Sequence, residues 1–306
     1  MTEKSIFVFP GQGTQAIGMG ADLAHDFPVA RAVFEEVDEA LNQNLSQLMF
    51  SGDIETLTQT QNAQPAIMAV SMAIFRVLQA EGLVRPVAVA GHSLGEYSAL
   101  CAAGVLSLKD TARLLYARGM AMAKACQQYQ GQMLALLGVT PELAEKLAQQ
   151  SGCYVANDNA PGQIVLSGLI ENITKAQTLS EEQGVKRAIL LKVAGAFHSP
   201  LMQSAADEMA PLLKGMHFAE PQVPVYFNVI ATQDLNPLHY AELLTQQIVA
   251  PVRWRELIAN VGKESSCFVE CGVGAVLSGL IRRILPEADI TTIATSEDIK
   301  KLFSEI

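Results

Sequence analysis

Cysteine is scarce in this chain, basic residues are outnumbered, and no apolar run is long enough to cross a bilayer. The 306 residues include five cysteines, at 101, 126, 153, 267 and 271, an odd number with no CxxC pair. Neither a disulfide framework nor a zinc site built on paired thiols is expected from that usage. Cys101 and Cys126 lie in apolar helical surroundings, where a buried reduced thiol is the expected state, and a cytoplasmic location fits. The formal charge of −10 argues against nucleic acid and anionic membrane as partners. No uninterrupted apolar stretch reaches the ~20 residues a membrane span requires. Met1-Thr2-Glu3-Lys4-Ser5 has no basic region followed by an apolar one, so no secretory leader is expected. Internal repeats, low-complexity tracts and Gly/Ser-rich linkers are also missing. What is abundant is apolar residue content, 50% of the chain, enough for one large domain or two.

Against that background one short motif stands out. Gly91-His92-Ser93-Leu94-Gly95 lies between an apolar run, Val87 to Ala90, and a helix-forming stretch, Leu94 to Ala103. In that context G-x-S-x-G predicts a nucleophile elbow, a sharp strand-to-helix turn that lifts a serine hydroxyl clear of the backbone. The following helix offers free N-terminal amides to an oxyanion. Chance alone gives the pattern in about one chain in ten of this length, taking Gly and Ser at roughly 7% each; the flanking strand and helix make Ser93 a candidate nucleophile.

A serine at neutral pH needs a base. The histidines are His25, His92, His198, His217 and His239. His92 adjoins the serine and projects away from it, and His25 lies upstream in a polar helical stretch. His198 follows the apolar strand Ala188 to Val193 on a Gly- and Pro-bounded loop, Gly195-Ala196-Phe197-His198-Ser199-Pro200. His217 and His239 sit beside turn signals and read as solvated loop residues. Position favours His198 only modestly. Arg118 shares a predicted helix face with Leu114, Leu115 and Met122, which puts a guanidinium toward apolar surroundings. Such a cation needs an anion, and on the residues alone an internal Asp or Glu is the expected partner.

The coarse map predicts a strand at residues 5–10, helices over Pro65 to Gln79 and Asp110 to Ala125, and then a change of rhythm. Met133 to Val139, Cys153 to Ala156, Gln163 to Ser167 and Lys186 to Val193 read as strands, with helices at Pro141 to Gln150 and Ile170 to Glu182. That βαββαβ order is the ferredoxin-like signature. It predicts a small subdomain, residues 129–195, inserted between the serine and histidine halves of a main α/β domain, residues 1–128 and 196–306.

Phe9-Pro10-Gly11-Gln12-Gly13, the elbow with Glu96, Arg118, Gly195-Ala196-Phe197-His198, and Gln247 before Pro251-Val252-Arg253-Trp254 occur in this order along nearly the whole chain. Together they resemble the malonyl-CoA:acyl carrier protein transacylase family. Its members include the stand-alone enzyme of bacterial fatty acid synthesis and discrete acyltransferases that serve polyketide synthases. The resemblance implies an α/β-hydrolase-like core with the inserted ferredoxin-like subdomain and a cleft between them. It implies that Ser93 is the nucleophile and His198 its base. The backbone amides of Gln12 and Leu94 would form the oxyanion hole, and the backbone carbonyl of Gln247 would orient the histidine. Arg118 would grip the free malonyl carboxylate, and Phe197 would crowd out an α-methyl branch.

The implied reaction is ping-pong, from malonyl-CoA through an acyl-serine to the phosphopantetheine thiol of acyl carrier protein, with no metal or redox cofactor. A monomer is expected. Carrier proteins are acidic, as this chain is, so docking requires a local basic patch. Lys186, Arg187 and Lys192 are the candidates, and a solvated strand edge is the other reading of them. Asn157-Asp158-Asn159-Ala160-Pro161-Gly162-Gln163 resembles a loop at the family's cleft, with Asp158 where an apolar residue is expected. Two other functions fit the elbow: an acyl hydrolase of a polyketide pathway, against which Arg118 argues, and a silent carrier-docking module, against which the intact Ser93, His198 and Arg118 argue.

Overall fold

Two sheets of opposite character divide the chain. The computed structural model describes residues 4–84 and 86–304; the leader expectation rests partly on residues 1–3, which lie outside that range. The strands are β1 Ser5–Phe9, β2 Pro86–Gly91, β3 Gly131–Leu137, β4 Tyr154–Ala160, β5 Gln163–Leu169, β6 Arg187–Leu190, β7 Val225–Phe227, β8 Thr232–Gln233, β9 Cys267–Cys271 and β10 Asp289–Ile293. One sheet has the order β10-β9-β1-β2-β7-β8, with all neighbours parallel except β8, which runs antiparallel to β7. The other, β4-β5-β3-β6, is antiparallel throughout.

The large sheet is covered on both faces, so its central strands read as continuous apolar runs. Successive side chains of a strand enter different cores. Phe7, Phe9 and Val89 pack among the helices Pro28–Leu41, Thr60–Ala80 and Leu108–Gln128. Ile6, Val8, Ala88 and Ala90 meet Trp254, Leu257, Leu277 and Ile281 on the opposite side. By length and composition Thr60–Ala80 could cross a membrane, yet 83% of its apolar window is buried inside the protein. It is a core helix. The spacing predicts its start at Pro65, but it begins at Thr60 with Pro65 inside it. The extra turn is fixed by burial of Asn62 and Gln64, whose side chains bond the Thr56 carbonyl and Arg118. The helix expected over Asp110 to Ala125 likewise extends to Leu108–Gln128, its N-terminus capped by the Ser107 hydroxyl accepting from the Asp110 N–H at 3.0 Å.

In the small sheet β3 alternates in the same way. Leu134 and Leu136 join Leu147, Leu166 and Ile173 in a separate core under the helices Pro141–Ser151 and Ile170–Glu182. Met133 and Ala135 face the other way, into the cleft between the sheets. The spatial order, second-third-first-fourth strand of the insert, is that of a ferredoxin-like βαββαβ unit.

Two strand boundaries differ from expectation by more than two residues. β4 continues to Ala160 and is not confined to Cys153–Ala156. Two register shifts pass over Ala156 and Asn159, while Asn157 and Asp158 pair with Val165 and Ile164 and Asn157 also bridges Val252 of the large subdomain. The expected cleft loop 157–163 is therefore the end of β4, a tight Pro161-Gly162 turn and the first residue of β5. At the other edge, β6 stops at Leu190, so Lys186 and Lys192 flank the strand and only Arg187 lies in it. Leu191 still donates its N–H to the Met133 carbonyl of β3 at 3.0 Å, and past it the chain turns toward His198.

Candidate active site

The carboxyl ends of parallel strands are where an open α/β sheet places ligands. Four segments converge there: the Pro10–Gly13 turn after β1, the elbow after β2, Asn228 after β7 and the Gly272–Gly274 bend after β9. The elbow requires its glycines, because a methyl on Gly91 would overlap the Gly95 carbonyl and one on Gly95 would overlap the Phe9 carbonyl. At φ 54° Ser93 is in the left-handed region, a conformation that costs a non-glycine residue roughly 1–3 kcal/mol unless its surroundings impose it. His198 has the same φ of 54°.

The two side chains meet. Ser93 Oγ lies 2.8 Å from His198 Nε2, and His198 Nδ1 lies 2.9 Å from the Gln247 carbonyl oxygen. A carbonyl can only accept, so Nδ1 carries the proton and Nε2 is free to receive the serine's. Gln247 is the last residue of the helix Tyr240–Gln247, where carbonyls lack intrahelical donors. Among the described residues no carboxylate is hydrogen-bonded to the histidine. Burial, and next the positive charge of Arg118, lower the His198 pKa to about 3, so the imidazole is neutral and ready to act as a base at neutral pH.

Arg118 is 1% exposed, on the helix Leu108–Gln128. Among the described residues it has no carboxylate in ion-pair contact, which corrects the partner expected from the residues alone. Its Nη1 donates to Gln64 Oε1 at 2.7 Å, and its Nη2 donates to Gln247 Oε1 at 2.8 Å and to Ser93 Oγ at 3.2 Å. The guanidinium carbon lies 5.8 Å from the Tyr97 ring centroid, within cation–π range, and Nε has no partner. Neutral acceptors thus hold a buried cation beside the Ser93 hydroxyl without neutralising it.

A cavity of about 320 Å³ opens from this cluster, lined by Gln12, Leu94 and Phe197 near the serine and by Met122, Met133 and Val165 farther out. The main-chain N–H groups of Gln12 and Leu94 have no internal acceptor among the described residues. His92 points away from Ser93, as expected, and bonds Asn159 of β4 through Nε2 at 2.8 Å. His25, His217 and His239 are exposed and remote from the cavity.

Sequence reasoning misses Gln64, Asn228 and the side-chain role of Gln247, because each reaches the site from 54 to 154 residues away through a neutral amide. It also leaves Asp158 unexplained. In the fold Asp158 forms a bidentate pair with Arg255, at 2.7 to 3.0 Å, joining β4 to the helix Trp254–Val261. The position is polar because it spans the two subdomains.

A serine–histidine pair on an α/β core, with a buried arginine aimed at the serine, defines an acyl-transfer enzyme. The chain belongs to the acyl transferase domain family, whose model matches residues 6–300. It is 42% identical over 300 residues to the malonyl CoA-acyl carrier protein transacylase of Bacillus subtilis strain 168, covering 96% of this chain and 94% of that one. With the Escherichia coli K12 protein of the same name it shares 38% identity over 286 residues, 91% of this chain and 92% of that protein. Its fold superposes on the acyl-carrier-protein S-malonyltransferase of Bartonella henselae with a TM-score of 0.94, at 44% identity and 99% coverage of both chains. A malonyl-transacylase solved in complex with a type II PKS acyl-carrier protein gives a TM-score of 0.94 at 36% identity, covering 99% of this chain and 100% of that one.

Proposed function

We propose that the protein transfers a malonyl group from malonyl-CoA to the phosphopantetheine thiol of an acyl carrier protein through a malonyl ester on Ser93. His198 Nε2 takes the Ser93 proton as Oγ bonds to the thioester carbonyl carbon. The tetrahedral oxyanion accepts from the main-chain N–H groups of Gln12 and Leu94. As the carbon–sulfur bond breaks, His198 returns the proton to the coenzyme A sulfur. The carrier thiol then gives its proton to His198, attacks the ester, and leaves Ser93 protonated again. Proton transfer and oriented dipoles account for every step, so no metal or redox cofactor is required.

The observation that carries this reading is Arg118, a buried cation with neutral partners, 3.2 Å from the nucleophile. A malonyl carboxylate would complete it with two parallel hydrogen bonds. Binding that carboxylate would also offset the charge that helps hold the His198 pKa low, so the substrate's own anion strengthens the base. A neutral acyl group does neither. Phe197, 6% exposed on the cavity wall, closes the space an α-methyl branch would need.

Ser93, His198 and Arg118 meet without help from a second copy, and we read the protein as a monomer. Five free thiols, two of them buried, suit a reducing cytoplasm. The carrier protein docks on the β6 edge, where exposed Lys186, Arg187 and Lys192 surround Ile189 and Leu190. Leu191 and Val193, just beyond, line the cavity. Mass spectrometry after mixing with malonyl-CoA tests the whole reading. A malonyl adduct on Ser93 that persists until carrier protein is added supports transfer; rapid release of free malonate indicates a hydrolase; no adduct indicates a docking module.

A further inference from the structure

Ser93 is held in its left-handed conformation by something other than its own preference, and the contacts identify the holder. Asn228, the first residue after β7, is fully buried. Its Oδ1 accepts from the Ser93 main-chain N–H at 2.8 Å, and its Nδ2 donates to the Gly91 carbonyl at 2.7 Å. One side-chain amide therefore brackets the elbow, satisfying a donor and an acceptor two residues apart that the sharp turn removes from regular pairing. Asn228 is itself fixed from the far side. Its main-chain N–H donates to Glu96 Oε2 at 2.6 Å, and Glu96 lies in the first turn of the helix Gly95–Ala102.

We propose that Asn228 is a positioning residue for the acyl-transfer reaction: its amide sets the Gly91–Ser93 turn so that Ser93 Oγ lies within reach of His198. The inference rests on the reading of Ser93 as nucleophile. Three features support it. First, the Ser93 N–H is turned back into the protein by Asn228, which leaves Leu94, the next residue, to offer its N–H toward the cavity. Second, Asn is suited to the task because it presents a donor and an acceptor on one short planar group; an ionised aspartate or a leucine at 228 could supply one or neither. Third, Glu96 is buried, has one oxygen without a partner, and makes no contact with the reacting atoms. Burial raises its pKa to about 8, so it is protonated and neutral at pH 7. A buried acid retained there has a use as the acceptor that pins Asn228.

The test compares Asn228→Leu and Asn228→Asp with wild type in the malonyl-CoA half-reaction, alongside thermal unfolding. Displacement of a reacting atom by about 1 Å costs on the order of 10²-fold in rate. Folded Asn228→Leu should lose kcat by that order, with KM for malonyl-CoA within about twofold, because Arg118 and the cavity are untouched. A serine-directed fluorophosphonate should label its Ser93 correspondingly slowly. Asn228→Asp keeps the acceptor for the Ser93 N–H and is isosteric, so it serves where the leucine variant does not fold. It should lie between wild type and Asn228→Leu, recovering toward wild type as pH is lowered and the new carboxyl gains a proton to donate to Gly91. Glu96, His92, His198, Arg118 and Arg253 surround it, and the wild-type profile measured in parallel accounts for their titration. Either folded variant matching wild type in kcat and labelling rate would overturn the proposal, as would loss of thermal stability with kcat intact. Failure of the underlying reading is distinct: wild type itself would then acquire no malonyl group on Ser93.

Discussion

On the large-subdomain side of the cleft, nearly every side chain near Ser93 is held by a hydrogen bond: His198 by the Gln247 carbonyl, Arg118 by Gln64 and Gln247, and the elbow by Asn228. The wall opposite, from the small sheet, presents Met133, Ala135 and Val165, with the amides Asn157, Asn159 and Gln163 beside them. Among the described residues three side-chain pairs tie the subdomains together, His92–Asn159, Asp158–Arg255 and Arg283–Gln163. The difference teaches how labour is divided. Bond-making atoms must be placed to a fraction of an ångström, and a network of buried amides does this with little tolerance. The apolar side chains of the other wall exclude water and bulk with more latitude, and its polar residues Asn159, Asp158 and Gln163 hold the small subdomain to the large one.

If this division is right, substitutions on the two walls should differ in kind. The largest effect belongs to Ser93→Ala, which should abolish malonyl loading while circular dichroism and unfolding temperature stay near wild type. An adduct forming on another residue at the wild-type rate would end the assignment. Next, His198→Ala should slow loading by ~10²–10⁴-fold, the scale of lost general-base assistance. The same histidine gives a pH signature. Its folded pKa, about 3 against 6.5 unperturbed, means that the unfolded chain binds a proton the folded one refuses. Its contribution to stability is therefore complete above pH 6.5 and is lost as pH falls from 6.5 toward 3. In His198→Gln, urea titrations across that window should show a shallower decline.

Arg118→Ala should cost ~2–5 kcal/mol in malonyl transfer, or roughly 30- to several-thousand-fold in kcat/KM. Acetyl transfer should survive or improve, so the malonyl-to-acetyl ratio falls by at least about tenfold. Parallel loss of both rates in a folded variant would make Arg118 a structural residue. On the other wall Asp158→Ala should cost only about 1 kcal/mol of stability, since its pair with Arg255 is partly exposed, 20% and 38%. A loss of loading on the scale of Arg118→Ala would erase the distinction between the walls. The smallest effect is expected from Lys186→Glu with Arg187→Glu: a higher KM for carrier protein with weaker salt dependence, and an unchanged malonyl-CoA half-reaction.

The same contrast explains what could be read from the sequence. The elbow, the helix bearing Arg118 and the βαββαβ rhythm are local patterns whose periods and glycines appear within a dozen residues. Choosing His198 over His217 and His239 needed the family motif, because burial and the approach of Gln247 are products of the fold. Asn228 and Gln64 leave no local mark at all; an amide near an ordinary strand or helix end gains its meaning only from a partner more than fifty residues away, the Ser93 N–H for one and the Arg118 guanidinium for the other. β6 is shorter and β4 longer than their apolar patterns suggest. The first gives way to a single Leu191–Met133 bond before its chain turns to the histidine, and the second is extended by bulges at Ala156 and Asn159.

Arg118 and its neutral keepers carry one more consequence, for the enzyme between turnovers. A desolvated cation whose partners are neutral oxygens favours any small anion that can reach it. The carboxylate grip proposed for Arg118 therefore predicts weak competition: free malonate, acetate or formate should slow malonyl transfer by taking the place of the substrate's own tail. Selectivity for malonyl and susceptibility to such anions would share a single buried charge.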